Sequence, residues 1–588
     1  MRFFFLLLFS IFAYASDEGA KNMELYGVLT LLPPLFAIFL AFITREVILS
    51  LFIGVFTGTL LLAFANFFDY ETVKNIVDNK EQVAYVFSYK DTGFMDWVNL
   101  FLSSFSNIVK HVLDSMTDSG NAGVILQVFC IGGVVALITK MGGVNAIALA
   151  LTRFVKGPVS AQVSTWMIGL CIFFDDYANS LTVGPIMRPI ADKFRISREK
   201  LSFILDSTAA PVAGIAIIST WIGVEVGLIR TAYALIGIND VNAFGIFLET
   251  IPYRFYNIFM LIFVVLTAIQ QREFGSMYIA EKNARAGIVS EAALDVGAEL
   301  ERELKPREDI AHKISDALIP ILTLIISALL CFYFSGLSAL EGEELAKVEE
   351  NYFSLYALRT TFGEANSSLA LFQAALFASV VAIILGLIRK KINHKEAIET
   401  WLHGWKSMIF TIAMLLFAWS LTAIVKQLGT PDYIVKLLAD STPHILLPSF
   451  IFLIGSAMSF AIGTSYGTMG ILMPLAIPLA HAVGIHSGFD ATELHHYIVV
   501  NISCVLTGAI FGNHCSPIAD CVILSAMSAK CELSAHVKTQ MPYALLVCAI
   551  SVLFGYIPVS LGLNVYLTII LGIVMMSLAL RIIGKKVG

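Results

Sequence analysis

Apolar runs of about 20 residues recur along this chain from Leu25 to Ile583, and a helix of that length crosses the roughly 30 Å of hydrocarbon in a bilayer. Runs such as Ile314 to Phe334 and Ala370 to Ile388 show no polar alternation, whereas the strands of a membrane barrel alternate over about ten residues. The spanning elements are therefore helices, and the expected fold is an all-α polytopic membrane protein. Composition agrees, because 57% of the 588 residues are hydrophobic and 14% charged, against about 25% charged in a soluble chain. The net charge of −6 points to no partner, and nothing suggests nucleic acid. The 8 cysteines lie in or beside apolar segments without a C-x-x-C pair, so they read as small core residues.

Residues 1–15 combine Arg2, an apolar stretch and an Ala13-Tyr14-Ala15 site, which reads as a signal peptide, with an uncleaved first helix as the alternative. The chain from residue 16 then starts outside. Spans are expected near 25–43, 47–66, 122–139, 201–226, 246–269, 314–334, 369–388, 407–426, 496–528, 542–562 and 564–583. These eleven crossings leave the C-terminus in the cytoplasm of a bacterial inner membrane. Basic residues fall accordingly: Lys193, Arg195, Arg198 and Lys200 in one inner loop, Arg389, Lys390, Lys391 and Lys395 in another, and Arg581, Lys585 and Lys586 in the tail, as the positive-inside rule requires. A charged linker, 270–313, separates an N-terminal half (24–269) from a C-terminal half (314–588), its charges reading as a wet helical face. Trp97 to Ser115 and Glu396 to Met408 read as helices lying in the interface, with scaffolding roles.

The halves resemble each other in order. Ile138-x-Lys140-x-x-Gly143 recurs as Ile424-x-Lys426-x-x-Gly429, Tyr177 with Pro185 and Pro189 as Tyr466 with Pro474 and Pro478, and Pro211-x-Ala213 as Pro517-x-Ala519. The loop between the second and third matches is basic in one half and lacks Lys and Arg in the other. Opposite loop charge implies opposite orientation, hence two inverted repeats.

Each half carries two polar breaks. In IFFDDYANSLTVGPIMRP, Asp175, Asp176, Asn179 and Ser180 interrupt an apolar segment, giving a re-entrant hairpin (about 158–190) that enters from inside with the carboxylates at its tip. Its counterpart (about 443–480) carries Gly463, Thr464, Ser465, Gly467 and Thr468 and enters from outside. The second breaks interrupt crossing helices: Asp206, Ser207, Thr208 and Pro211 in one half, Asn513, His514, Ser516, Pro517 and Asp520 in the other. Proline removes a backbone donor, and the carbonyls it frees must line a polar cavity rather than lipid. Such carbonyls and hydroxyls suit a small cation, while half-helix N-termini suit an anionic group.

A buried aspartate in a membrane costs about 2.5–3.5 kcal/mol, and two adjacent carboxylates repel when both ionise. One of Asp175 and Asp176 is expected to hold a proton that a cation can displace, which is a coupling mechanism. The plainer reading is that one of them caps the returning helix. Asp206 and Asp520 equally suit satisfaction of backbone donors at a helix break. Glu225 and Arg188 read as residues near the two membrane faces, reached by snorkelling. His481, His486, His495 and His496 with Asp490 and Glu493 match no strong metal spacing.

The phrases FFDDYANSLTVG, DSTAAPVAG, AIGTSYGTMG and GNHCSPIADCVILSA, with HVKTQMPYAL, resemble the NhaC-type Na+/H+ antiporter family of the ion transporter superfamily, over residues 25–562. The resemblance implies a secondary transporter with paired hairpins, a moving transport domain, and a homodimer. Members include Na+/H+ antiporters and carriers that look specific for organic acids or amino acids, so the resemblance leaves the substrate open. Where the family usually shows G-D-H-C-S-P, this chain has Gly512-Asn513-His514-Cys515-Ser516-Pro517. Asn513 can ligate through its carbonyl but carries no charge, which moves the titrating role toward Asp175 and Asp176.

The leading expectation is Na+/H+ exchange. Asp175, Asp176, Asn179, Asp206 and Asp520 would form the cation and proton site, with Ser180, Ser207, Thr208, Thr464, Ser465, Thr468, Asn513, His514 and Ser516 as further ligands. No cofactor or resident metal is expected; Na+, H+ and membrane lipid are the partners. The rival is Na+- or H+-coupled carriage of a small carboxylate or amino acid, held by Ser207, Thr208, Ser465 and Asn513. A third reading, an intramembrane hydrolase, rests on Gly463-Thr464-Ser465-Tyr466-Gly467 with His514 as base, but G-x-S-x-G acquires meaning on a strand-to-helix elbow and no strand is expected. No P-loop is present to support ATP-driven pumping.

Overall fold

The computed structural model describes residues 17–44, 46–77, 80–217, 219–238, 241–288, 312–352, 354–433 and 443–587. The expected signal peptide and most of the charged linker lie outside these residues. Helix α1 (Asp17–Tyr26) runs through a 3-10 turn into α2 (Leu32–Thr44), and α3 (Val47–Phe64) returns antiparallel to it. An antiparallel hairpin follows, β1 (Phe68–Val77) and β2 (Lys80–Tyr89), paired from Phe68 with Tyr89 to Val77 with Lys80. The sequence reading expected no strand here. Alternating residues such as Tyr85, Phe87 and Tyr89 on β2 suit a ladder outside the membrane.

Helix α4 (Phe94–Thr117) exposes Phe94, Trp97, Phe101, Phe105 and Leu113 and buries Leu100, Ser104, Ile108 and Ser115, as an interfacial helix should. Helix α5 (Ser119–Lys140) crosses, capped at its start by Asp118, which accepts from the Asn121 amide at 2.8 Å. A short α6 (Gly143–Thr152) leads into the hairpin α7 (Pro158–Cys171) and α8 (Asp176–Lys193). Ala161 and Thr165 face Met187 and Ala191 across it, so the chain leaves the hairpin where it entered. The next helix is broken: α9 (Arg198–Thr208), one turn α10 (Ala210–Ala213), an unwound stretch, then α11 (Ile222–Leu235). Helices α12 (Ala243–Thr250) and α13 (Phe255–Gln270) bend by 45° at Arg254.

Of the charged linker, β3 (Arg272–Glu273) and α14 (Gly275–Arg285) are described. The wet-face reading is corrected there. Glu273 is buried 2.9 Å from Lys200, and Glu281 is buried with its carboxylate accepting from the Ser197 amide at 2.7 Å. The linker thus clamps the start of α9.

In the second half, α15 (Ser315–Ala339) is followed by α16 (Gly342–Glu350) and α17 (Leu355–Glu364), which fold the expected acidic loop, and then by α18 (Ser367–Ile388). Helix α19 (His394–Gln427) is one continuous rod, so the expected interfacial segment at Glu396 to Met408 is instead the first part of a span. It crosses α5 at a seam of small residues, where a Cβ on Gly404 would lie 2.2 Å from the Gly132 carbonyl oxygen. The second hairpin is α20 (Leu447–Ile462) and α21 (Ser465–His486). Its ends meet, with the His444 and Phe489 rings 5.2 Å apart. The second broken helix is α22 (Ala491–Cys515) and α23 (Asp520–Ala529). Helix α24 (Leu533–Ser551) starts before the expected span and passes through a π turn at Val552–Tyr556 to α25 (Ile557–Ser560), and α26 (Val565–Ile583) ends in β4 (Lys585–Lys586).

Two relationships support the expected topology. Strand β4 pairs with β3, Arg272 opposite Lys586, so the tail lies on the same side as the linker. Hairpin helices also pack across the repeats, α8 against α23 and α21 against α11.

Candidate functional site

The two hairpin tips line one cavity. Asp175 is the N-cap of α8 in extended conformation, its carboxylate accepting from the Ala178 amide at 2.7 Å, so the capping reading holds for this residue. Asp176 occupies the first turn beside it, buried, and the Cys521 thiol donates to its Oδ2 at 3.1 Å. The Tyr177 hydroxyl donates to Asp520, whose other oxygen accepts from the Cys521 amide at 2.9 Å. The Ser180 and Ser525 hydroxyls lie 3.1 Å apart. The contacts of Cys521 with Asp176, Tyr177 with Asp520 and Ser180 with Ser525 join the first hairpin to the broken helix of the other repeat. On the mirror side, the ring of Tyr466 in the second tip sits 4.7 Å from Trp221, at the start of α11.

Sequence chemistry explains both tips. Gly463 takes φ +79 between α20 and α21, and a Cβ there would meet Ile518 Cγ1 at 2.7 Å, so only glycine lets the tip press against the break in the second repeat. Between the tips lies a cavity of about 250 Å³, lined among others by Asp176, Asp520, Thr220, Thr464 and Glu46. Among the described residues, no Lys, Arg or His lines it.

The remaining expected ligands divide. Asn179 donates to the Gly169 and Thr208 carbonyls at 2.9 and 2.7 Å, tying the first hairpin to the first break. Asn513 points its amide at the Gly463 carbonyl at 3.4 Å. Thr468 and Thr208 bond back to their own helices, Ser465 donates to the Ala509 carbonyl at 3.2 Å, and Ser516 turns in to the Ile518 amide at 3.4 Å.

Asp206 does not join the cavity. It forms a second buried cluster in which His514 Nε2 and His536 Nε2 stand 3.5 and 3.6 Å from Asp206 Oδ2. Gln540 donates to Asp206 and to the His514 carbonyl. Ser207 lies 3.3 Å from His514 Nε2 and Tyr256 2.7 Å from its Nδ1. His536 and Gln540 were missed as site residues. The signal was present in HVKTQMPYAL, whose polar residues at positions 536 and 540 share one helix face, but the expected span began after them. The hydrolase arrangement is not assembled, since Ser465 and His514 each have other partners.

Glu225 is also corrected. It is fully buried, 2.8 Å from Arg254 at the α12–α13 bend, rather than snorkelling near the outer face. Arg254 further donates to the Gly214 carbonyl and to Thr250 Oγ1. The outer histidines pair singly, His495 with Glu249 and His496 with the Tyr253 hydroxyl, each at 2.6 Å, and no metal cluster occurs among the described residues.

This geometry coincides with a family match. Residues 212–559 match the model of the Na+/H+ antiporter family. The chain belongs to that family. Membership makes it a multi-pass membrane transporter of the secondary active kind. A protein of Haemophilus influenzae described as uncharacterised is 30% identical over 538 residues, 91% of each chain. The malate-2H(+)/Na(+)-lactate antiporter of Bacillus subtilis is 28% identical over 176 residues, 29% of this chain and 34% of that one. Among solved structures, the YdaH transporter of Alcanivorax borkumensis shares the fold at a TM-score of 0.50 and 12% identity, over 88% of this chain and 100% of that one. The family match begins at Val212, so it spans Asp520 and the second tip, while Asp175 and Asp176 enter the site through the contacts described above.

Proposed function

We propose that this transporter exchanges Na+ for H+ at Asp176 and Asp520 in the tip cavity. The observation that carries this reading is the lining: Asp176 and Asp520 with the hydroxyls of Thr220 and Thr464, and no basic side chain among the described residues. Hard oxygen ligands suit a small alkali cation. Asp175 and Asp176 are adjacent in the chain and Asp176 shares the cavity with Asp520, so like-charge repulsion disfavours ionising all of them without a counterion, and a proton and Na+ compete to supply it. Opening the cavity alternately to each side then exchanges one for the other.

Coupled movement of a small carboxylate draws support from the similarity to the malate/lactate carrier. That substrate needs a cationic or donor-rich partner, whereas the cavity offers carboxylates, and Ser207, Thr208 and Ser465 are engaged elsewhere.

Purified protein in proteoliposomes distinguishes the two. A Na+ gradient is expected to drive proton flux with no organic solute present. Strict dependence of that flux on malate, lactate or an amino acid overturns the proposal.

A further inference from the structure

Glu46 lies in the turn between α2 and α3, distant in sequence from every polar break, yet it lines the same cavity as Asp176 and Asp520. The placement is fixed by packing. A Cβ on Gly467, in the first turn of α21, would lie 2.6 Å from the Val47 methyl groups, so the second hairpin tip rests directly on the start of α3 and keeps Glu46 beside it.

A carboxylate at a helix N-terminus has an ordinary explanation, as a cap or a favourable charge on the helix dipole. Glu46 occupies the N-cap position of α3, but its side chain makes no cap hydrogen bond. No hydrogen bond or ion pair to its carboxylate is found among the described residues.

Burial then orders the carboxylates. Of the carboxylates that line the cavity, Glu46 and Asp520 are exposed and Asp176 is only 5% exposed, beside its chain neighbour Asp175 at 4%. A cation following this order loses water stepwise, meeting a carboxylate at each stage. By the alternation of crossings, the turn holding Glu46 lies on the side of the β3–β4 ladder, which the basic residues mark as cytoplasmic.

We infer that Glu46 is the entry carboxylate of the cytoplasmic mouth, a positioning residue that concentrates cations at the cavity without binding them at the exchange site. The inference rests on the Na+/H+ reading. A charge in this role acts through its field, which a low-dielectric cleft focuses and salt screens.

The test is the Na+ dependence of proton flux in oriented vesicles for wild type, Glu46→Gln and Glu46→Asp, at low ionic strength and with added choline chloride. Glu46→Gln is expected to raise the apparent KM for Na+ about two- to threefold at low ionic strength, with kcat unchanged. The difference should vanish in high salt and be confined to the face bearing Glu46, and Glu46→Asp should behave as wild type. An unchanged KM at low ionic strength overturns the inference, as does a defect that persists in high salt, falls on kcat, or appears equally from both faces. Wild type lacking Na+-driven flux overturns the Na+/H+ reading and this inference with it, whereas active wild type with an indifferent Glu46→Gln overturns this inference alone.

Discussion

Arg254 holds Glu225 at 2.8 Å with neither side chain exposed, the guanidinium at the α12–α13 bend and the carboxylate on α11. The same guanidinium donates to the Gly214 carbonyl in the unwound part of the first broken helix. One residue therefore neutralises a buried charge and satisfies a backbone acceptor left open where the helical turn ends at Gly214. Removing either partner strands the other charge in the protein interior, at a cost of about 3–5 kcal/mol. Glu225→Ala and Arg254→Met are each expected to lower the thermal unfolding midpoint in detergent steeply. The double variant should recover part of the loss, because no charge is left unpaired, and a double variant worse than the sum would refute the pairing.

Tyr177 and Asp520 lie in different repeats, and their hydrogen bond is one of the contacts joining the first hairpin tip to the second broken helix. Tyr177→Phe leaves the ring and removes the donor; Asp520→Asn leaves a weaker acceptor. If the bond is the shared element, each single change should slow exchange, and the double should be little slower than the worse single, a coupling of about 0.5–3 kcal/mol in a mutant cycle. Strictly additive effects would show that the two side chains act separately.

The hairpins, the breaks and their repeat relationship were legible in the sequence because polar residues in apolar runs are costly and therefore conspicuous. Proline at 211 and 517 and glycine at 463 marked the breaks and one tip. What could not be read was which break faces which tip. Local sequence places Asp206 and Asp176 in equivalent settings, and only tertiary packing sends one to a His514, His536 and Gln540 cluster and the other to the cavity. Glu225 was misread for a related reason: its partner is 29 positions away across a bend, where no helical periodicity reveals the pairing. The start of α24 was set too late because His536, Lys538 and Gln540 look like a loop until the residues packed around them are known.

Asp175 and Asp176 are adjacent but differently employed. Asp175 caps α8 through one oxygen, a role that asparagine also fills. Asp176 lines the cavity, so on the proposed exchange mechanism loss of its charge removes the group for which proton and cation would compete. Asp176→Asn is therefore expected to abolish Na+-dependent proton flux while inserting normally. Asp175→Asn should retain folding and a measurable fraction of flux, and Asp175→Ala should in addition lose about 1 kcal/mol of stability with the cap. Equal flux in wild type and Asp176→Asn, measured at matched protein content, would remove the central carboxylate from the mechanism.

Gly463 and Gly562 share a left-handed backbone, at φ +79 and +87, but differ in surroundings. A side chain at either position carries the conformational cost of about 1–2 kcal/mol. At Gly562 the added Cβ meets nothing within 4 Å, whereas at Gly463 it meets Ile518 Cγ1 at 2.7 Å and the Ile518 carbonyl oxygen at 3.1 Å. Those atoms belong to the break that carries Asp520, so the clash pushes the second tip away from the carboxylates. Gly562→Ala is expected to lower stability modestly and leave the KM for Na+ unchanged. Gly463→Ala should lower stability by a similar amount and also raise KM or stop exchange. Matched losses of stability with matched kinetics in the two variants would show that contact between the tip and the break does not shape the cation site.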